Sequence, residues 1–171
     1  VMVSQKSLNN FLFAFVNRLS MGFSGRFLAL TPLTFDIAAL ELFCPLLSGA
    51  SLIFVRKSSP LDMRNLKFFI NYHGPTIMQA TPSLWKTLLD TKLEYTKALD
   101  ILCGGEAAQL SLISSLVHNT KQLWNLYGPT EATIWSSTRT YTSKDKINKV
   151  SIGRPISNTQ IYILDSYLNP V

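Results

Sequence analysis

The sequence predicts an α/β fold, in which a parallel sheet layered with helices is followed by a β-rich segment. The first observation is that short, continuous apolar runs alternate with segments of helical periodicity over the first 128 residues. This alternation is typical of parallel strands that are joined by helices. The second observation is that two strand-like runs, at 133–142 and 159–165, follow without a helical segment between them.

The first part of the chain begins with a helix and then alternates. Five apolar residues at helical spacing predict the first helix: Leu8, Phe11, Leu12, Phe15 and Leu19. Residues 26–35 read as a short buried strand that ends near Thr31 and Pro32. A second helix, closed by Gly49, is predicted from Ile37, Leu40, Cys44 and Leu47. Residues 51–55 are a continuous apolar run, which predicts a buried strand.

The alternation continues as far as residue 128. A third helix within 58–74 has Ser59-Pro60 as its start and Gly74 as its stop. Thr81 is the predicted cap of a fourth helix, and Pro82 lies in its first turn. The remaining predicted elements are, in order, a strand at 76–80, the helix at 81–90, a strand at 99–105, a helix at 111–119 and a strand at 121–128.

Composition and charge limit the class of protein. With 171 residues, 47% of them hydrophobic and 15% charged, the chain reads as one well-packed globular domain. Its net charge of +6 is scattered and mixed with acidic residues, so we expect a solvated surface and no nucleic-acid partner. Cys44 and Cys103 lie far apart in apolar settings and fit neither a disulfide framework nor a metal site.

Targeting signals are not evident in the sequence. No apolar run reaches the roughly 18 to 20 residues that a membrane span needs. Residues 1–13 lack the charged start and the small-residue cleavage site of a signal peptide. We therefore expect a cytoplasmic protein without a membrane partner.

Four polar or glycine-containing segments follow predicted strands. They are Phe35-Asp36, Gln79-Ala80-Thr81, Gly104-Gly105-Glu106 and the stretch 124–135. In folds with parallel sheets, ligands bind at the carboxyl ends of the strands. We expect these four segments to converge on one site.

The stretch 124–135 carries the most chemistry of the four. Tyr127 could stack on a nucleobase, and Gly128 lets a ligand come near. Thr130 offers a hydroxyl to a phosphate, and Glu131 offers a hard oxygen ligand to Mg²⁺. The alternative is a strand-ending turn in which Thr130 caps a helix.

Two further segments also have two interpretations each. Gly104-Gly105 could let a backbone approach a flat or anionic ligand closely, or it could be a structural turn. Asp36 could be the N-cap of the helix that begins at Ile37. It could instead be an anion that awaits a cationic ligand, since an uncompensated carboxylate beside apolar residues is costly to bury.

Three ordered motifs together resemble a known family. Residues 35–52, FDIAALELFCPLLSGASL, contain Phe-Asp, an acidic residue five positions further on, and Leu-Leu-x-Gly-Ala. Residues 125–135 contain Asn-x-Tyr-Gly-Pro-Thr-Glu, and residues 152–165 contain Gly-Arg-Pro. The chain resembles, over essentially its whole length, the amino-acid adenylation domain of nonribosomal peptide synthetases, within the acyl-adenylate-forming, AMP-binding superfamily. The implied fold is part of the large N-terminal portion of such an enzyme.

The resemblance implies a two-step reaction and a set of partners. An amino acid and ATP give an aminoacyl-adenylate and pyrophosphate, with Mg²⁺ neutralising charge. The acyl group then passes to the phosphopantetheine thiol of a carrier domain, and a condensation domain is a further neighbour. Such synthetases make secondary metabolites.

Site residues follow from the same resemblance. Asp36 would pair with the α-ammonium group of the substrate, which fatty-acyl and aryl acids lack. The nucleotide would be held by Gly104, Gly105, Glu106, Asn125, Tyr127, Gly128 and Thr130. Thr130 would touch the α-phosphate and Glu131 would hold Mg²⁺, so these two are the predicted catalytic residues.

The substrate pocket implied by the resemblance is bulky and, apart from its carboxylate, uncharged. Its positions are Asp36, Ile37, Leu40, Gln79, Leu102, Gly104, Leu126, Ile134 and Trp135, and a further lysine lies outside this chain. This set resembles the pattern associated with glycine. A glycine site must exclude competitors by steric clash, because an open pocket discriminates by only about 1 to 3 kcal/mol per methylene. The alternative is an apolar cavity that admits Leu, Val or Phe.

The family pattern extends beyond both ends of the chain. Its phosphate-binding loop is expected before Val1, and its ribose-binding Asp and lysine-bearing lid after Val171. We therefore expect 1–171 to be a partial adenylation core, truncated at both ends and inactive alone. Two alternatives stay open: an acyl or aryl acid ligase of the same superfamily, and a non-catalytic remnant of the fold.

Overall fold

A computed structural model describes residues 1–55, 63–91 and 99–171, and within these ranges the chain forms one seven-stranded sheet with helices packed on it. The helices are α1 (Gln5–Leu19), α2 (Ala38–Ser48), α3 (Met63–His73), α4 (Pro82–Asp90) and α5 (Leu110–Val117). The strands are β1 (Arg26–Ala29), β2 (Ser51–Phe54), β3 (Ile77–Ala80), β4 (Asp100–Gly104), β5 (Gln122–Tyr127), β6 (Ser137–Tyr141) and β7 (Arg154–Pro155). A short 3₁₀ turn spans Thr130–Ala132.

The sheet has the predicted parallel part and the predicted β-rich addition. Its strand order is β2-β1-β3-β4-β5-β6-β7. Strands β1 to β5 pair in parallel, whereas β6 and β7 are added antiparallel. Ala80 pairs with Cys103, and Gly104 pairs with Leu126, so β3, β4 and β5 end at the same edge of the sheet. The α/β prediction is confirmed.

Side chains alternate along the strands between the two faces of the sheet, and each face carries one apolar cluster. The first cluster packs α4 and α5 on the sheet and contains Leu28, Met78, Trp85, Ile101, Ile113 and Leu123. The second packs α1 and α2 on the sheet and contains Phe11, Phe15, Phe27, Leu40, Ile77, Leu102, Leu126, Ile134 and Trp135. The second cluster matters for function, because five of the predicted substrate-pocket residues belong to it.

The two cysteines belong to different clusters. Cys44 lies in the second cluster and Cys103 in the first, and both are buried free thiols. Burial raises the pKa of each thiol to about 12. Neither sulfur is therefore a reactive thiolate at neutral pH.

Several predicted element boundaries are confirmed. The Thr81 side chain accepts from the backbone N–H of Leu84, as expected of the cap of α4. Gly49 and Gly74 follow α2 and α3 with φ of +69° and +53°, a backbone region that glycine adopts at little cost. The predicted Ser59-Pro60 start of α3 lies outside the described residues. No helix in the described part of the chain is long and apolar enough to cross a membrane.

Three strand predictions need correction. The strand β2 exists but lies at the sheet edge, so Phe54 is exposed and the strand is not buried. The strand predicted at 133–142 is shorter, because a turn with left-handed backbone occupies its first residues. The strand predicted at 159–165 is wrong: only an isolated bridge, Leu164 to Pro170, forms there among the described residues. Its apolar side chains face outwards and do not pack on the sheet.

Candidate functional site

Two residues from distant motifs meet at the carboxyl edge of the sheet. The Thr130 hydroxyl donates a hydrogen bond of 2.6 Å to the Asp36 carboxylate, 94 residues away in sequence. Both capping interpretations are therefore wrong. The helix α2 begins at Ala38 with Ile37 as a cap that makes no side-chain hydrogen bond, and the 3₁₀ turn begins after Pro129 in the same manner. Asp36 is instead turned towards the loop that follows β5.

The loop after β5 is compact and fixed by its own backbone. The N–H of Ser136 donates to the carbonyl of Tyr127 at 2.8 Å and closes the loop. A Cβ on Gly128 would lie 2.6 Å from the Ser136 nitrogen, so only glycine fits at that position. Thr133 and Ile134 both have left-handed backbone, with φ of +65° and +70°. Such conformations are rare for β-branched residues, and they aim the following side chain, Trp135, back into the protein.

A cavity of about 420 Å³ lies beside this loop. Its size is within the range of small-molecule sites. Tyr127, one of its lining residues, is 50% exposed. Its lining includes most of the predicted nucleotide residues: Gly105, Glu106, Ala107, Ala108, Asn125, Leu126, Tyr127, Gly128, Trp135, Val150, Ser151 and Ile152.

Side chains around this cavity are held by hydrogen bonds. Asn125 is buried and donates through Nδ2 to the Ser151 carbonyl at 2.8 Å. This contact fixes the orientation of its carboxamide. The carboxylate of Glu106 accepts from both the backbone N–H and the hydroxyl of Ser83, at 3.2 and 2.5 Å. The loop after β4 is thereby tied to the start of α4.

Five cavity residues were not predicted: Ala107 and Ala108, which directly follow Glu106, and three from a more distant segment. Val150, Ser151 and Ile152 line the cavity from the segment that precedes β7. The only sequence signal was their position directly before the Gly-Arg-Pro motif, for which no contact was predicted. Glu131, the predicted metal ligand, is exposed in the 3₁₀ turn and does not line the cavity.

Three of the predicted substrate-pocket residues, Leu126, Ile134 and Trp135, are closely packed and are called the substrate wall below. Trp135 is 1% exposed, and its indole N–H donates to Gln79 Oε1 at 3.0 Å. A Cβ on Gly104 would come within 2.8 Å of the Trp135 ring, so glycine at that position permits the close approach of the indole. Leu126 and Ile134 are buried beside it. These residues form one continuous apolar surface.

Not every predicted pocket residue reaches a cavity. Leu40 and Leu102 are fully buried in the second cluster and line neither this cavity nor a smaller one. The smaller cavity, of about 200 Å³, lies between the segment that joins β1 to α2 and the junction of β3 with α4, and it is lined by Leu30, Thr31, Pro32, Phe35, Ile37, Gln79, Ala80, Thr81 and Leu84. Ile37 and Gln79 therefore share this second, mostly apolar space.

A buried carboxylate behind the site had no predicted role. Glu41 is 0% exposed and accepts from the backbone N–H groups of Leu30 and Thr31, at 2.9 and 3.0 Å. It also accepts from the Thr31 hydroxyl and from Gln79 Nε2, at 2.5 and 2.9 Å. Burial raises the pKa of Glu41, and these hydrogen bonds oppose the rise. An acidic residue inside an apolar helix was the signal that pointed to it.

Comparisons with known proteins identify the family of the chain. The family model described as AMP-binding enzyme matches residues 1–171. A dimodular nonribosomal peptide synthase of Bacillus subtilis (strain 168) is 42% identical over 171 residues, which is 100% of this chain and 7% of that protein. The malpibaldin synthetase of Mortierella alpina is 33% identical over 147 residues, 80% of this chain and 3% of that protein. The chain thus spans a small part of these relatives.

Solved structures give the same result. A four-domain nonribosomal peptide synthetase, crystallised in its holo form with AMP and glycine, matches with a TM-score of 0.90 and 37% identity. The match covers 96% of this chain and 12% of that one. A synthetase protein that contains adenylation and carrier (PCP) domains matches with a TM-score of 0.81 and 27% identity, over 96% of this chain and 34% of that one.

Proposed function

The chain belongs to the AMP-binding enzyme family, and we propose that it forms the substrate-selecting part of an adenylation domain that activates glycine as glycyl-adenylate. Its relatives are nonribosomal peptide synthetases, and its fold is that of their adenylation domains. We propose that these residues belong to a longer protein, which is called the intact domain below. The observation that carries the proposal is the contact of Asp36 with Thr130, together with the buried Trp135 that is held by Gln79.

Asp36 is suited to bind the ammonium group of an α-amino acid. Its carboxylate is only partly buried and lies at the carboxyl edge of the sheet, where its contact in this structure is a neutral hydroxyl. A cation there would form a charge-assisted hydrogen bond, which contributes about 1.5 to 3 kcal/mol. The substrate class follows from this charge, because fatty and aryl acids carry no ammonium group.

The neighbouring loop is suited to bind ATP. The half-exposed Tyr127 offers its ring to adenine, and Asn125 presents a fixed amide at the same cavity. Thr130 has one hydroxyl proton, so it can donate either to Asp36 or to an α-phosphate oxygen, but not to both. We propose that it exchanges the first partner for the second as substrates bind.

Mg²⁺ fits the chemistry of Glu131. The ion is usually held by one or two carboxylates together with substrate phosphates, and Glu131 is an exposed carboxylate at the start of the loop turn. When bound there, Mg²⁺ would neutralise charge on the departing pyrophosphate.

The reaction that we propose has two steps. A carboxylate oxygen of glycine attacks the α-phosphorus of ATP, and the bond from that phosphorus to the pyrophosphate oxygen breaks. The phosphopantetheine thiol of a neighbouring carrier domain then attacks the glycyl carbonyl carbon and loses its proton, the bond from that carbon to the phosphate oxygen breaks, and AMP leaves. One structural neighbour contains adenylation and carrier domains together, which supports this partner.

Glycine is favoured by the packing of the wall. Leu126, Ile134 and Trp135 are all buried, with at most 4% of each residue exposed. A solved relative of 37% identity was crystallised with AMP and glycine, which supports the same choice. We propose that bound glycine lies against this wall, so that a larger side chain would have to displace it; overpacking of a close-packed interior costs about 1 to 3 kcal/mol.

Amino-acid-dependent exchange of labelled pyrophosphate into ATP tests the proposal. With the intact domain, we expect exchange with glycine to exceed exchange with alanine, valine, leucine and phenylalanine. Aryl and fatty acids, supplied in the same assay, should give none. Stronger exchange with a large amino acid would refute the glycine assignment, and exchange only with an acid that lacks an amino group would refute the assignment to amino acids.

A further inference from the structure

A chain of buried hydrogen bonds links Glu41 to the substrate wall. The chain runs from the Glu41 carboxylate to the Gln79 carboxamide at 2.9 Å, and from there to the Trp135 indole at 3.0 Å. All three side chains are at most 1% exposed. Water is therefore not available to replace a lost contact, and an unpaired polar group here is costly.

The direction of each hydrogen bond in the chain is fixed by Glu41. A carboxylate only accepts, and all four contacts of Glu41 are with donors. Gln79 must therefore turn its Nε2 towards Glu41, where it also donates to the Ile37 carbonyl at 2.9 Å. This leaves Gln79 Oε1 as the acceptor for Trp135, whose indole can only donate. If the Gln79 amide were reversed, its oxygen would face two acceptors, the Glu41 carboxylate and the Ile37 carbonyl. Its nitrogen would face the Trp135 indole N–H, which is a donor.

The orientation of Trp135 therefore depends on a residue that lines neither cavity. Glu41 has no atom in the lining of the larger or the smaller cavity, whereas Trp135 lines the larger one and Gln79 the smaller one. Glu41 also holds the backbone N–H groups of Leu30 and Thr31, where β1 ends. The end of β1 thus fixes the position of Glu41, and Glu41 in turn fixes Trp135 through Gln79.

We propose that Glu41 is a positioning residue for amino-acid selection: it holds Gln79 so that the Trp135 indole stays across the pocket and excludes side chains larger than that of glycine. This inference rests on the proposed function. It assigns part of the discrimination to a buried carboxylate that does not touch the substrate.

The test is Glu41→Gln in the intact domain. The new amide carries two donors, so either the backbone N–H groups at the end of β1 or Gln79 Nε2 must face another donor. We expect the ratio of kcat/KM for glycine to kcat/KM for alanine to fall about tenfold, the factor that corresponds to about 1.4 kcal/mol. The KM for ATP should change little, because none of the hydrogen bonds of Glu41 involves Asn125 or Tyr127, the residues that we propose hold the base.

A second variant and a double variant keep the test decisive. Glu41→Asp keeps the charge but is one methylene shorter, so it cannot reach the end of β1 and Gln79 together, and we expect the same loss of selectivity. Gln79→Met removes both ends of the amide at similar volume. If Glu41 acts through Gln79, Glu41→Gln combined with Gln79→Met should lose no more selectivity than Gln79→Met alone.

Asp100→Asn is the matched control. Asp100 is also a buried carboxylate of the same sheet, but it lies at the amino end of β4, away from both cavities. This variant should leave the glycine-to-alanine ratio unchanged. A folded Glu41 variant that keeps the wild-type ratio, or a double variant whose losses multiply, would overturn the inference alone. Failure of the unmodified domain to activate glycine would instead overturn the proposed function, and this inference with it.

Discussion

The Thr130 hydroxyl lies 2.6 Å from the Asp36 carboxylate, and this contact joins the motif that follows β1 to the motif that follows β5. One residue is the proposed partner of the amino acid and the other that of the nucleotide. Because they bind each other, a ligand that occupies one of them alters the hydrogen bonding of the other. The contact is therefore where the two proposed substrate sites meet.

Removal of the charge at Asp36 should act on the amino acid. In the intact domain, Asp36→Asn is expected to lower kcat/KM for glycine by about tenfold to a hundredfold, the equivalent of a charge-assisted hydrogen bond. The KM for ATP should stay close to that of the wild type. Pyrophosphate exchange at varied glycine and varied ATP separates the two constants. An equal effect on both substrates would contradict the assigned role.

Thr130 offers a matched pair of substitutions. Thr130→Ser keeps the hydroxyl and should retain most activity, whereas Thr130→Val keeps the shape and should lower kcat. The reason is that valine cannot donate to an α-phosphate oxygen, whose charge grows in the transition state. Single-turnover formation of the adenylate measures this step directly. Equal rates for the two variants would show that the hydroxyl has no role beyond its contact with Asp36.

Tyr127 should determine affinity for the nucleotide. Tyr127→Ala is expected to raise the KM for ATP by about fivefold to a hundredfold, because aromatic stacking on a base contributes about 1 to 3 kcal/mol. Tyr127→Phe keeps the ring and should behave as the wild type. The side chain is half exposed, so neither change should unfold the protein. If the phenylalanine variant is as impaired as the alanine variant, the contribution comes from the hydroxyl and not from stacking.

Trp135 should determine which side chains are admitted. Trp135→Phe removes part of the ring beside Gly104 and the N–H that binds Gln79, so alanine activation should rise relative to glycine. Trp124→Phe is the control, because Trp124 is buried in the same cluster but lines neither cavity. Both variants should lose some stability, and only the first should change the ratio of alanine to glycine exchange.

Asp100 should make stability depend on pH. Burial raises its pKa above 3.8, and the 3.1 Å contact with Lys121 opposes the rise. The folded state then binds the proton more tightly than the unfolded state. The contribution of Asp100 to the free energy of unfolding is therefore largest below its unfolded pKa, falls as pH rises through the raised pKa, and is constant above it.

The comparison with Asp100→Asn isolates that contribution. Urea unfolding of both proteins over a pH series should give a wild-type minus variant difference that decreases with rising pH in that window. Loss of the titrating group should make the variant curve flatter. A difference that increases with pH would mean that Lys121 outweighs burial.

Local pattern was sufficient to predict most of the elements but not their partners. Helix α4 was predicted with its cap because Thr81 and Pro82 act within one turn. The apolar run at 51–55 predicted β2, yet its edge position depends on strand order, which no local segment encodes. The run at 159–165 has strand-like composition but lacks a neighbouring strand among the described residues, so composition alone was misleading there.

For the site, too, local sequence predicted where the residues lie but not which side chains contact each other. The convergence of four strand ends was predicted, since parallel strands end at one edge. The contact from Asp36 to Thr130 was not, because a carboxylate directly before a helix also fits a local cap. The role of Glu41 could not be read from sequence, since its four donors come from the two residues that follow β1 and from Gln79 in β3. Such a network exists only after the sheet has assembled.

The left-handed backbone at Thr133 and Ile134 has a consequence for how this site can evolve. Conformations of this kind cost about 1 to 3 kcal/mol for residues other than glycine. Glycine or asparagine at position 134 would relieve that strain, and either would also take apolar bulk away from the wall. Selection for thermodynamic stability and selection for the proposed exclusion of larger amino acids therefore favour different residues at position 134. A lineage that no longer needs to exclude larger amino acids is expected to drift towards glycine or asparagine here, and so to become promiscuous while gaining stability.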